Sequence, residues 1–301
     1  MKQVPCHADF LRYIEWHNLA FVTTRDLDLE TYVLHYDWYT TRLNETAKEL
    51  LSFLELDIHE NGALTPFVPG KVYPYFTNAE KLAVRKAFEI MASPMTWEHI
   101  EHYFDEANSA TDGVDDPEAT AVVVTNNKPP PLDSLVVNGS ETEITGDVQF
   151  LLDFAIVGYP KTATSSLVRW LHEQDEISMY DHEIYHLKDG QPADMVRTLY
   201  QLPEGIHGYK APRDIHNPRA VEAFAKYWKE TKLIVGLRHP VLWLESFYNF
   251  RTRFNVTLPP PDQLRGPTCH PESHNVCTEE IRYHDHLSRL GKTPRTDPAE
   301  L

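Results

Sequence analysis

Short apolar runs bounded by turn residues recur along the chain, and they lie around residues 33, 154, 177, 207 and 233. Runs of this length without alternation are typical of strands that a parallel sheet buries on both faces. Longer stretches with helical spacing lie between most of them. The pattern predicts an α/β fold, a parallel sheet of five strands flanked by helices. Right-handed crossovers would bring the carboxyl ends of the strands to one edge, where ligands bind.

Three segments of the first third predict helices, over residues 44–54, 78–91 and 96–104. Asn78 is a residue type suited to capping the second helix, which continues as a run laced with charges. The order in this part of the chain is therefore strand, then helices.

Residues 105–147 have a different composition, with several acidic residues, three consecutive prolines and no helical periodicity. Such a stretch is typical of an exposed linker whose charges repel each other. We therefore divide the chain into a part spanning 1–104, a linker over 105–147 and a part spanning 148–301.

The turn after the run at 154–157 combines a lysine, glycine and proline with hydroxyl residues at the start of a helix. A helix N-terminus offers free N–H groups and a positive dipole end, which attract phosphate. Thr164 to Ser166 stand where that helix needs an N-cap. The alternative is an ordinary turn between strand and helix. The candidate phosphate-binding residues are Gly158, Pro160, Lys161, Thr162, Ala163, Thr164, Ser165 and Ser166.

A second candidate anion site follows the run at 232–237. Arg238 ends this run, and Ser246 lies eight residues later on the helix expected after Pro240. Arginine suits a phosphate because its charge is permanent and its donors form a fork. A surface salt bridge is the alternative role for Arg238.

These segments resemble the sulfotransferases that use PAPS (3′-phosphoadenosine 5′-phosphosulfate), in particular the Golgi carbohydrate branch. That family carries Gly-x-Pro-Lys-x-Gly-Thr-Thr-x-Leu at its 5′-phosphosulfate loop, and Arg-x-Pro followed by Ser-x-Tyr at its 3′-phosphate site. Here Ala163 replaces the second glycine, a change that matters if the position requires positive φ. The resemblance implies a fold related to the P-loop nucleotide-binding proteins, PAPS as cofactor and PAP as product.

The resemblance also implies the catalytic residues. Glu183 matches the family's general base, and Lys210 matches a lysine near the transferring group. Lys161 would neutralise the leaving phosphate oxygen, and the scheme requires no metal. His182 stands where that branch often has lysine, and His182 or His186 is the next candidate base.

The segment from His182 to His186 also fits the His-Glu-x-x-His pattern of zinc proteases. That pattern requires a helix, whereas the segment follows an apparent strand and precedes a turn. A zinc site is therefore the weaker interpretation.

The order of the family pattern is inverted in this chain. The strand near Val33 and the helices after it resemble the family's C-terminal third, yet they precede both phosphate motifs. The chain is then either a circular permutant or a slice through a tandem enzyme. The permutant predicts that the two parts pack as one domain, with the strand around Val33 beside the strand around Val235.

Composition limits the partners. The net charge of −17 argues against nucleic acid as a binding partner. The expected acceptor is a carbohydrate or another small molecule. No signal peptide or long apolar run is evident, so a membrane would be reached only through an anchor that this chain lacks. The rival functions are a P-loop phosphotransferase and a non-catalytic remnant.

The resemblance implies the Golgi lumen or the secretory pathway, with the cytoplasm left open. Three Asn-x-Ser/Thr triplets, at Asn44, Asn138 and Asn255, permit glycosylation. Cys269 and Cys277 are close enough in sequence for a disulfide. The sequence does not predict an oligomeric state.

Overall fold

A computed structural model describes Val4, residues 6–56, 75–104 and 129–252, with side chains up to residue 250. The interpretations of residues 105–128, of Asn255 and of the pair Cys269 and Cys277 lie outside the described residues.

Five parallel strands form one sheet, in the order β1-β5-β2-β4-β3. This confirms the predicted α/β class and all five strands. Two of the candidate catalytic residues end neighbouring strands, Glu183 on β3 and Lys210 on β4. The strands are β1 (Thr31–His35), β2 (Phe154–Gly158), β3 (Ile177–Glu183), β4 (Ile206–Lys210) and β5 (Lys232–Leu237).

Helices flank the sheet. Those described are α1 (His7–Asp26), α2 (Trp38–Thr41), α3 (Leu43–Phe53), α4 (Asn78–Met91), α5 (Pro94–Ile100), α6 (Thr164–His172), α7 (His186–Asp189), α8 (Pro192–Leu199), α9 (Pro218–Tyr227) and α10 (Pro240–Thr252). Short 3₁₀ helices span Glu101–Phe104, Leu132–Ser134 and Gln149–Leu151. Within the described ranges, none of the helices is both long enough and apolar enough to cross a membrane.

The three predicted helices are present, with corrections at their ends. The N-cap of α4 is Thr77 rather than Asn78, because the Thr77 and Glu80 side chains bond each other's backbone N–H groups. The third predicted helix begins earlier, at Pro94, and tightens into the 3₁₀ helix from Glu101.

Helix α1 is the longest described helix, and the sequence pattern did not predict it. Its inner face carries buried polar side chains, including Asp9, His17 and Thr24, so no clean apolar stripe marks it. Two hydrogen bonds tie α1 to the site edge of the sheet: the Tyr13 hydroxyl donates to the Arg238 carbonyl, and the Tyr159 hydroxyl donates to the Trp16 carbonyl.

The core lies on both faces of the sheet. Along β2, Ala155 and Val157 belong to the larger apolar cluster, with residues of α1, α8, α9 and α10. Phe154 and Ile156 belong to the other cluster, with residues of α3 and α6. This alternation explains why β2 is apolar at every position.

The early part of the chain supplies an edge strand to the sheet. β1 pairs in parallel with β5, as predicted, and Val33 lies opposite Val235. Residues from both sides of the proposed linker therefore share one sheet and one core.

Residues 129–147 differ from the exposed linker expected there. Leu135 and Val136 are buried in the larger cluster, and Val136 bridges to Ile144. Just beyond, the Trp228 indole donates to the Val148 carbonyl. Apolar side chains thus anchor this stretch, although its prolines and polar residues indicated exposure.

Candidate functional site

The carboxyl edge of the sheet brings the predicted site residues together. The loop after β2, the ends of β3 and β4, and Arg238 after β5 all lie there. In the strand order, β2 stands between β4 and β5, where the direction of winding changes. Open α/β sheets bind ligands at such a switch point.

The loop after β2 has two non-glycine residues in the left-handed region, Lys161 at φ 71° and Ala163 at φ 65°. The latter is the N-cap residue of α6 and makes no side-chain cap. The prediction that Thr164 to Ser166 provide the N-cap is therefore wrong, because the helix has already begun at Thr164. Ala163 occupies the conformation that favours glycine, at a cost of about 1–2 kcal/mol.

Close packing against β5 and α10 holds the loop. The Thr162 hydroxyl donates to the Tyr159 carbonyl at 2.6 Å. A Cβ on Gly236 would lie 2.3 Å from the Thr162 Oγ1, so glycine is needed at that point of β5. On the other side, the Trp243 indole donates to the Pro160 carbonyl at 2.8 Å.

Lys210 joins the loop to the candidate base. Its ammonium donates to the Ser165 hydroxyl at 2.8 Å and lies 3.1 Å from the Glu183 Oε1. Only 4% of Lys210 is exposed. A buried ammonium and the positive end of α6 therefore converge, with one carboxylate beside them. This arrangement favours an additional anion between the loop and Lys210.

Glu183 is accessible as well as paired. Its side chain is 36% exposed, and the Tyr185 hydroxyl donates to its Oε2. The pairing of β3 with β4 shifts register before Glu183, which then lies opposite Lys210. A carboxylate that is oriented by two donors and open to solvent can accept a proton from a bound hydroxyl.

The two histidines near Glu183 do not form the helical zinc motif. His182 lies in β3, is largely exposed and contacts Asp181, whereas His186 begins α7 and contacts the Thr198 hydroxyl. The motif requires both imidazoles on one helix face. The zinc-protease interpretation is therefore wrong.

Arg238 is buried beside the loop. Its Nη1 donates to the Lys161 carbonyl at 3.0 Å, and its guanidinium carbon lies 3.9 Å from the centroid of the Tyr36 ring. Burial lowers the pKa of Arg238. Its Nε is buried and has no hydrogen-bond partner among the described residues. An anion that reached this nitrogen would satisfy it and offset the cost of burial.

One side of α10 faces the loop. Trp243 and Phe250 lie seven residues apart, and both contact the loop. The Trp243 indole bonds the Pro160 carbonyl, and the Lys161 ammonium lies 4.0 Å from the centroid of the Phe250 ring. Ser246 lies between them on the same side of the helix and is half-buried. Its position suits the predicted role as a hydroxyl donor.

Four aromatic residues of the site were missed by the sequence reasoning: Tyr36, Tyr185, Trp243 and Phe250. Two of them carry a signal in the sequence. Tyr36 follows a predicted strand, and Trp243 precedes Ser246 by one helical turn. Aromatic residues are common in cores, so neither signal is specific.

Comparisons with known proteins identify no relative: no family model, no curated protein and no solved structure matches the chain.

Proposed function

We propose that this protein transfers the sulfuryl group of PAPS to an acceptor hydroxyl. The observation that carries the proposal is the buried Lys210 ammonium, which contacts both Ser165, in the first turn of α6, and Glu183. A cation between an anion-binding loop and an accessible carboxylate suits in-line transfer of an anionic group to a hydroxyl.

The residues present fit a ligand with two separate anionic groups. The loop and the N-terminus of α6, with Lys210, form one cationic centre, and Arg238 forms another. The buried Arg238 Nε, for which the described residues offer no acceptor, suits the 3′-phosphate of PAPS. Ser246 would add a hydroxyl donor there.

Each residue acts on a particular atom of the acceptor or of PAPS. Glu183 Oε1 or Oε2 takes the proton of the acceptor hydroxyl, oriented by Lys210 and Tyr185. Lys210 holds the sulfuryl oxygens, and Lys161 turns from Phe250 to offset charge on the leaving phosphate oxygen. This scheme uses no metal.

The finer fold assignment belongs to the same proposal. We propose a sulfotransferase fold of the P-loop type in permuted order, supported by the pairing of β1 with β5. The acceptor class that we favour is a carbohydrate or another small alcohol, since the net charge of −17 disfavours polyanionic acceptors.

Thermal unfolding with nucleotides tests the proposal. In EDTA, PAP at 100 times its dissociation constant should add about 2.7 kcal/mol to the free energy of unfolding. ATP with Mg²⁺ is the comparison, because a P-loop phosphotransferase would respond to it. Stabilisation by ATP only with Mg²⁺, and none by PAP, would support the phosphotransferase instead.

A further inference from the structure

A second cluster of polar side chains lies at the end of β1, outside the proposed transfer site. It consists of His35, Asp37 and His102, and each offers one ligand atom within 4.8 Å of the others. It is the one group of this kind among the described residues. His35 and Asp37 flank the end of β1, and His102 comes from the 3₁₀ helix Glu101–Phe104.

We propose that these three residues bind a divalent first-row transition metal, with Zn²⁺ as the best-suited ion. Two imidazoles and one carboxylate are a donor set that zinc uses with water as the fourth ligand. Bonds of about 2.1 Å place tetrahedral ligands about 3.4 Å apart. Each ligand atom would need to move by less than about 1 Å, which side-chain rotation supplies.

A neighbouring phenol orients the cluster, as hydrogen-bond partners behind the ligands do in metal sites. The Tyr103 hydroxyl lies 2.9 Å from the His35 Nδ1. The same hydroxyl donates to the Leu237 carbonyl at 3.3 Å. The phenol therefore links one of the three ligands, His35, to the end of β5.

Asp37 supplies the independent observation that points to a cation. Its Oδ1 is buried and has no hydrogen-bond partner among the described residues. The Asp37 side chain also makes no cap for α2, although it occupies the N-cap position. A buried carboxylate oxygen left unpaired is costly, and a metal ion would satisfy it.

A cation that acts on the cluster is already compensated. Arg42 acts electrostatically on His35, but it pairs with Glu49 and stacks on Trp38. The metal would link the 3₁₀ helix to β1 next to Tyr36, whose ring covers Arg238. It would stabilise this edge of the sheet without taking part in transfer.

Metal titration of the full-length chain tests the site. Calorimetry with Zn²⁺, after treatment with EDTA and its removal, should detect one equivalent in the wild type that is lost in Asp37→Asn and in His102→Gln. Two variants are used because they perturb different elements, and circular dichroism verifies that each is folded. His182→Gln is the matched control, since His182 belongs to the alternative His-Glu-x-x-His pattern.

Co²⁺ spectroscopy identifies the donors. Visible bands without a thiolate charge-transfer band are expected from two imidazoles and a carboxylate, and these bands should disappear in Asp37→Asn. An equal number of bound metal ions in wild type, Asp37→Asn and His102→Gln would overturn the proposal. So would loss of the site in His182→Gln, or a thiolate spectrum that persists in Asp37→Asn.

Discussion

Lys210 and Arg238 set the chemistry of the site at the residue scale. Both are buried cations at the carboxyl edge of the sheet. Lys210 contacts Ser165 in the first turn of α6, and Arg238 contacts Lys161 in the loop after β2. Their residue types and positions could be predicted from the sequence, since Lys210 ends one strand and Arg238 follows another. Their contacts could not, because the pairing of Lys210 with Glu183 depends on a register shift between β3 and β4.

Replacing Ala163 by glycine should stabilise the protein. Relief of the left-handed alanine is worth about 1–2 kcal/mol, and the added chain entropy of glycine costs about 0.5–1 kcal/mol. We expect a net gain of about 0.5–1 kcal/mol in the free energy of unfolding, measured with denaturant. The control is Ala83→Gly within α4, which should lose about 1 kcal/mol. A loss of stability in Ala163→Gly would show that this position carries no strain.

Glu183→Gln should separate binding from chemistry. The amide keeps the shape but cannot take a proton, so turnover should fall about 100-fold or more. PAP binding should not weaken, because a carboxylate that competes with the anion for Lys210 is removed. The matched control is Asp181→Asn, an exposed carboxylate two residues away, which should retain activity. Unchanged turnover in Glu183→Gln would transfer the base role to His182 or His186.

At the element scale, strand β5 organises the site. It pairs with β1 on one side and β2 on the other, and it leads into Arg238 and α10. The strands could be predicted because apolar runs bounded by turns are a strong signal. Helix α1 could not, because buried polar residues such as His17 break its apolar stripe. The N-cap of α6 was also missed, although the glycine at the matching position of the resembling family pointed to a positive φ at Ala163.

Gly236→Ala, a change in β5, should displace the loop after β2 that packs on this strand. The new Cβ would meet the Thr162 Oγ1 and displace the loop, so PAP affinity should fall by about tenfold, or 1.4 kcal/mol. Gly208→Ala is the control, because its Cβ would meet the Phe154 ring instead of the loop. It should lower stability while PAP affinity of the folded protein is retained. If both variants bound PAP with equal affinity, the loop after β2 would not be part of the PAP site.

At the scale of the whole molecule, two distant parts of the chain share one sheet. The neighbouring positions of β1 and β5 could be predicted from the inverted order of the motifs, and the register at Val33 and Val235 agrees. The packing of residues 129–147 could not, because Leu135 and Val136 lie among polar residues and prolines. A circular permutant requires the two parts of the chain, before and after the proposed linker, to associate stably.

Cleavage at a protease site introduced near Asp115 should leave the two pieces associated. The β1–β5 pairing and the packing of α1 join them independently of the residues between. Gel filtration should give one peak in native buffer, and denaturant should separate the pieces. Leu34→Asp, which puts a charge at a buried position of β1, should make the cleaved pieces separate without denaturant. Separation of the cleaved wild type would argue for a slice of a tandem protein.

The most direct measurement is calorimetric titration of PAP and of AMP, which lacks the 3′-phosphate, into wild type and Arg238→Lys in EDTA. We expect the wild type to bind one PAP and to prefer it over AMP by at least about tenfold, or 1.4 kcal/mol. Arg238→Lys keeps the charge but loses the forked donors, so most of this preference should disappear while AMP affinity changes little. No PAP binding by the folded wild type, or a preference for PAP that is the same in both proteins, would contradict a two-site PAPS protein.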